Sequence, residues 1–184
     1  MILRSTLGIA LLVAVSAPAA HGAATVLGSR LGYDCALAAL AGYSDQTSID
    51  TCTLALESAG LSGRDRAGTY VNRGVIQLRR KAYRQAHADF DIALALEPQL
   101  GEAFVNRGAA YLAQHRFTEG LAALNHGLAL GADEPEKAFY NRAIAHEALG
   151  DLKAAYLDYQ EALRLKPGWS EPERNLARFA VRLK

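Results

Sequence analysis

The chain reads as all-α: an α-solenoid of stacked antiparallel helix hairpins, with three repeats, one degenerate hairpin before them and a capping helix after them. Three observations predict this. Tyr70-Val71-Asn72-Arg73-Gly74 returns as Phe104-Val105-Asn106-Arg107-Gly108 and again as Phe139-Tyr140-Asn141-Arg142-Ala143, so Gly74 and Gly108 stand 34 residues apart and Gly108 and Ala143 stand 35 apart. Periods of this size mark stacked two-helix units, each unable to bury its apolar face alone. Within each unit apolar residues recur at three- and four-residue spacing, which gathers them on one face of a helix. Breakers punctuate the pattern: Pro98 and Pro167 end periodic runs, and Gly150 precedes a new one.

Residues 1–24 lie outside the solenoid. Arg4 supplies a positive start and Leu7 to Val15 form a short apolar run. Ala17-Pro18-Ala19, Ala20-His21-Gly22 and Gly22-Ala23-Ala24 each fit a small-x-small cleavage pattern, so an export signal cut between Ala19 and Ala24 is expected. The run is too short to span a bilayer comfortably, and no later segment is apolar enough to do so. The expected location of the mature chain is the periplasm or the exterior.

Residues 25–66 form the degenerate hairpin, with helices expected at Leu31–Ala41 and Thr47–Ser58 around a Gly42-Tyr43-Ser44-Asp45-Gln46 turn. Repeat 1 (67–100) is expected to place helices at Ala67–Arg80 and Tyr83–Leu96. Repeat 2 (101–135) places them at Glu102–His115 and Phe117–Leu130, and repeat 3 (136–169) at Glu136–Leu149 and Leu152–Leu165. Asp133-Glu134-Pro135-Glu136 pairs an acceptor side chain with a glutamate three residues later and a proline in the first turn, a capping-box start. Ser170-Glu171-Pro172-Glu173 repeats the signal and opens the last helix, Glu171 to about Leu183, in the capping segment 170–184.

The second helices also repeat. Ala86, Phe90, Ala93, Leu96 and Pro98 match Ala155, Tyr159, Ala162, Leu165 and Pro167, while the middle unit carries Gly120, Leu124, Gly127, Leu130 and Ala132. An interior helical glycine costs about 1 kcal/mol relative to alanine. The middle unit is therefore expected to be the softest, and Gly120→Ala is expected to stabilise it by roughly 0.5–1 kcal/mol.

The period and this large–small pattern resemble the tetratricopeptide repeat family over about Ala67 to Pro167, with the final helix resembling that family's polar capping helix. Two places depart from the family's pattern. Its tryptophan is replaced by Tyr70, Phe104 and Phe139, and its aliphatic before the small residue by Arg73, Arg107 and Arg142.

The resemblance implies a curved stack whose first helices line an inner surface that holds a peptide or a segment of a partner protein. Carried over residue by residue, that surface would include Val71, Asn72 and Val75, then Val105, Asn106 and Ala109, then Lys137, Tyr140, Asn141 and Ile144. Leu78, Glu102 and Leu112 would flank them. Asn72, Asn106 and Asn141 form a ladder of amides that can both donate to and accept from a peptide backbone. They serve either to orient an extended chain or to contact an adjacent helix. Some members of the family clamp a C-terminal carboxylate. Asn106, Lys137 and Asn141 match part of that clamp, but Val71 and Val75 stand where the first repeat would supply lysine and asparagine, so the clamp is not expected and a more apolar peptide is. Laid on the repeats, Cys52 falls at the place of Phe90 and Cys35 at that of Arg73, places that face each other in such a hairpin. In an oxidising compartment a Cys35–Cys52 disulfide is expected, stabilising by roughly 3 kcal/mol.

Charge excludes some functions. The chain carries 20 basic and 19 acidic residues, a net charge of +1, and loss of Arg4 with the signal leaves 19 against 19. No basic field is present to draw nucleic acid or an anionic membrane. Arg79-Arg80-Lys81 clusters locally, at an expected helix–helix turn. Arg73 has Asp89 sixteen residues on and Arg142 has Asp158 at the same offset, so both are expected to pair within their hairpins, whereas Arg107 meets Ala123 and lacks that mate. His87, His115, His126 and His146 occupy unrelated places, and no phosphate loop, nucleophile elbow or metal-ligand spacing accompanies them. No catalytic residue, cofactor or metal is expected. Two readings follow: a non-enzymatic adaptor in the cell envelope that binds protein or peptide, or a self-associating module whose inner surface is filled by its own segment or by a second copy.

Overall fold

A computed structural model describes residues 30–58 and 60–182. The export signal expected at 1–24 lies outside them. The described residues form nine α-helices: α1 (Arg30–Leu40), α2 (Gln46–Glu57), α3 (Gly63–Arg79), α4 (Tyr83–Leu96), α5 (Gly101–Ala113), α6 (Phe117–Ala129), α7 (Pro135–Ala148), α8 (Leu152–Leu165) and α9 (Ser170–Arg182). They pair as hairpins α1–α2, α3–α4, α5–α6 and α7–α8, and each hairpin stacks on the next. The first helices α3, α5 and α7 are neighbours, and α9 closes the stack against α8.

The boundaries follow local chemistry. α3 begins four residues before its expected start, because Ser62 caps it: Asp65 N–H donates to Ser62 Oγ at 3.1 Å, and that hydroxyl donates to the Asp65 carboxylate at 2.8 Å. This is the reciprocal Ser-x-x-Asp signal that opens helices. Asp45 and Asp151 cap α2 and α8 by accepting from the N–H of Ser48 and of Ala154. The capping box expected at Asp133 does not form. α7 starts with Pro135 at its first turn and no side-chain cap, while Asp133 N–H donates to Glu102 Oε1 at 2.9 Å; Ser170 Oγ donates to the neighbouring Glu171 carboxylate. Lys81 and His115 sit in the left-handed region (φ 61° and 59°) at turns between the helices of a hairpin, where the last hairpin uses Gly150.

The hairpins are filled from their second helices. Phe90, Leu124 and Tyr159 are fully buried at corresponding places on α4, α6 and α8. Gly74 leaves room for the Phe90 ring, since a Cβ built there would lie 2.6 Å from a ring carbon. The N-terminal hairpin is closed by a Cys35–Cys52 disulfide with Cα atoms 4.8 Å apart and both residues fully buried. At the other end Tyr140, Tyr159, Trp169 and Phe179 form one aromatic cluster that seats α9.

The middle hairpin differs from the expectation of softness. A Cβ on Gly127 would stand 2.9 Å from the Gly101 carbonyl oxygen and 2.7 Å from a Val105 methyl. One on Gly120 would stand 2.7 Å from a Leu112 methyl and 3.3 Å from the Gly108 carbonyl oxygen. The glycines are where α5 and α6 touch backbone to backbone. For an alanine at either place the gain in helix propensity is set against displacement of packed atoms, a movable Leu112 methyl at Gly120 and a backbone carbonyl at Gly127.

Candidate functional site

Because α3, α5 and α7 are adjacent, their equivalent residues form rows across the stack. Asn72, Asn106 and Asn141 occupy one such row, and all three are buried. Their partners differ. Asn106 Nδ2 donates to the carbonyl of Glu102 one turn back, at 2.9 Å. Asn72 is also engaged. Asn141 is 1 % exposed, and neither its Nδ2 nor its Oδ1 has a hydrogen-bond partner. An amide left in that state costs about 1–3 kcal/mol, so the position is one where an incoming donor and acceptor would be rewarded.

Of the other inner-surface residues read from the sequence, Val71, Val75, Val105, Ala109, Lys137 and Tyr140 are buried, and Ile144 is half-buried. Val71 and Val75 pack with Leu78, Phe90 and Ala103; Val105 packs with Leu112, Leu124 and Ala138. Tyr140 lies 4.8 Å from the Trp169 ring centroid. Lys137 pairs with Glu134 across one helical turn, and burial pulls its ammonium below the usual lysine range against the opposing pull of that carboxylate. The row is therefore apolar and amide-bearing, with one paired cation at its α7 end.

The arginines follow a rule that the sequence shows only in part. Arg73 and Arg142 make two-point contacts to Asp89 and Asp158 of their own hairpins, at 2.8–3.0 Å and 2.7–2.8 Å. Burial raises the Asp89 carboxyl while the Arg73 guanidinium holds it down. Each arginine also reaches back to the preceding hairpin: Arg73 to Thr53, Arg107 to Asp91 and Arg142 to Asn125. Arg107 thus has a mate sixteen residues behind it rather than ahead. All three lie over the aromatic ring one turn earlier on their own helix, Tyr70, Phe104 and Phe139, at 5.0–5.4 Å from the centroid. Arginine, with its planar fork and stackable face, satisfies both demands at once.

The histidines serve packing. His126 stacks on Phe104 at 4.1 Å, His87 lies against Tyr111 and within 2.7 Å of the Gln114 amide, and burial pulls its pKa below the ordinary histidine value. Among the described residues no group of three histidine, cysteine, aspartate or glutamate side chains could hold a metal ion. No described helix is long and apolar enough to cross a membrane.

Hairpins of 34–35 residues, a buried large residue at one place in each second helix and a family model that matches residues 136–168 as a tetratricopeptide repeat agree. The third hairpin is a tetratricopeptide repeat, and the chain stacks further hairpins of the same kind beside it. Solved tetratricopeptide repeat domains share its fold. The Arabidopsis OM64 domain is 21 % identical with a TM-score of 0.60, covering 64 % of this chain and 96 % of that domain. The first such domain of Spaghetti (RPAP3), solved bound to the HSP90 peptide SRMEEVD, is 25 % identical with a TM-score of 0.60, covering 64 % of this chain and 92 % of that one. MamA is 17 % identical with a TM-score of 0.62 and covers 82 % of each chain. No curated protein sequence matches the chain.

Proposed function

We propose that the chain is a non-enzymatic adaptor, exported to the cell envelope, that binds a protein or peptide segment along the face formed by α3, α5 and α7. The observation that carries this reading is the Asn141 amide, buried and without a partner at the end of a row of equivalent asparagines. Within a stable hairpin such a group is a cost, and a peptide backbone offers the donor and acceptor that would remove it. Ile144, half-buried beside the row, suits an apolar side chain. The similar Spaghetti domain holds a peptide, which supports the class of ligand. It does not transfer the acidic sequence SRMEEVD, because Val71 and Val75 stand where the carboxylate clamp would need polar side chains.

The test is selection of a displayed library of short peptides on the mature chain, followed by binding of the selected peptides to Asn141→Ala. The variant loses no hydrogen bond within the fold, so its melting temperature should hold within a few degrees while affinity falls about tenfold. No enriched peptide, or peptides bound equally by the variant, would remove the reading. Export is tested separately by fractionating cells that express the full chain: a mature form lacking about 24 residues outside the cytoplasm is expected, and a full-length cytoplasmic form would contradict it.

A further inference from the structure

The two ends of the stack are finished differently. At the C-terminal end α9 turns Phe179 inward and leaves Glu173, Arg174 and Arg178 exposed. At the N-terminal end α1 buries Cys35, Ala36 and Ala39 on one side, and on the opposite side shows solvent an apolar stripe. Tyr33, Leu37 and Leu40 are 53, 43 and 53 % exposed, and Tyr43 in the following turn is 57 % exposed. Positions 33, 37 and 40 fall on one face of a helix, so these are neighbours rather than scattered residues. A solenoid end needs a polar outer face to stay soluble, and an exposed contiguous apolar patch marks an interaction surface.

We propose that this stripe of α1 is the interface of a two-fold symmetric homodimer. Two features select a second copy as the occupant. A head-to-tail stack would press the stripe against the charged outer face of α9 and desolvate Glu173 together with the exposed pairs of Arg174 with Glu171 and of Arg178 with Glu147, with no charge on the stripe to compensate. The stripe is instead complementary to itself. When two α1 helices cross antiparallel about Leu37, Tyr33 lies opposite the partner copy's Leu40 and Ala41, and Arg30 lies towards that copy's Ser44-Asp45 turn, joining opposite charges at both edges of the patch. A closed pair of this kind is the commonest outcome for a self-complementary surface.

The test is sedimentation equilibrium of the mature chain, residues 25–184, at tens of micromolar, beside Leu37→Glu and Leu37→Cys. The wild type should have the mass of two chains. Leu37→Glu should have the mass of one with unchanged circular dichroism, because the side chain is exposed in the single chain and the substitution leaves its packing intact. Leu37→Cys should form an intermolecular disulfide on mild oxidation faster than Arg178→Cys at the far end, since a two-fold axis through position 37 brings like to like. A monomeric wild type overturns the proposal, and it assigns the stripe to residues 25–29 if their deletion then produces dimers. A dimer that survives Leu37→Glu overturns it too. Peptide binding by the monomeric Leu37→Glu variant would leave the adaptor reading standing, so the two fail separately.

Discussion

The middle hairpin and its two neighbours solve one packing problem in different ways. In α3–α4 and α7–α8 a ring, Phe90 or Tyr159, fills the space between the paired helices, and alanines (Ala86 and Ala93, Ala155 and Ala162) stand beside it. In α5–α6 the filler is the smaller Leu124, and the helices close onto Gly101, Gly108, Gly120 and Gly127, whose missing side chains admit backbone contact. The lesson is that filler size and glycine content go together. A smaller filler without glycines would leave a void, and glycines in place of Ala86, Ala93, Ala155 and Ala162 would cost helix propensity without the compensating backbone contact.

Exchanging the fillers should break this comparison most strongly. Leu124→Phe pushes a ring into a space bounded by the Gly108 and Gly120 backbones and is expected to cost about 3 kcal/mol. If it is tolerated as well as Phe90→Leu, judged by urea unfolding of both, the close approach of α5 and α6 is not limiting.

The arginine contacts sharpen the contrast at a smaller scale. Arg142→Ala removes a two-point contact and strands Asp158, which is nearly buried, for a loss of about 2 kcal/mol. Arg107→Ala removes one hydrogen bond to Asp91, an exposed carboxylate, and the stacking on Phe104, for about 1 kcal/mol. Equal losses on thermal melting would show that the middle hairpin depends on its arginine as the others do.

The glycines separate last. Gly127→Ala meets a backbone carbonyl and should destabilise by about 1–2 kcal/mol. Gly120→Ala meets mainly a methyl at the end of the Leu112 side chain, which can shift, so its loss should be smaller, about 0.5 kcal/mol once the gain in helix propensity is counted. A melting temperature that rises for both would restore the softer reading of this hairpin.

The sequence made the architecture legible because its signal repeats: three copies of one pentapeptide fix the period, and Pro98, Gly150 and Pro167 fix the ends. The Cys35–Cys52 pair was readable by laying the weak hairpin on the strong ones. Three things were not. The contacts of Gly120 and Gly127 depend on how closely two helices approach, a distance that no linear pattern encodes. Arg107 was read forward within its own hairpin, and the offset to Asp91 runs backward to the previous one. The early start of α3 was marked by Ser62-x-x-Asp65, but the apolar period that guides a helix assignment begins only at Ala67. At the candidate site the row of asparagines was visible as a repeat, while the difference among its members was not, since whether an amide has a partner is a property of its surroundings.

The adaptor reading turns on whether the Asn141 amide meets a bound chain. Its side-chain NH2 protons can be followed by nitrogen-15 correlation spectroscopy as a library-selected peptide is added to the mature protein. The Asn141 pair is expected to shift, and its exchange with solvent to slow, more than for the Asn106 pair already bonded to Glu102. An unmoved Asn141, with the changes falling on residues outside α3, α5 and α7, would contradict it.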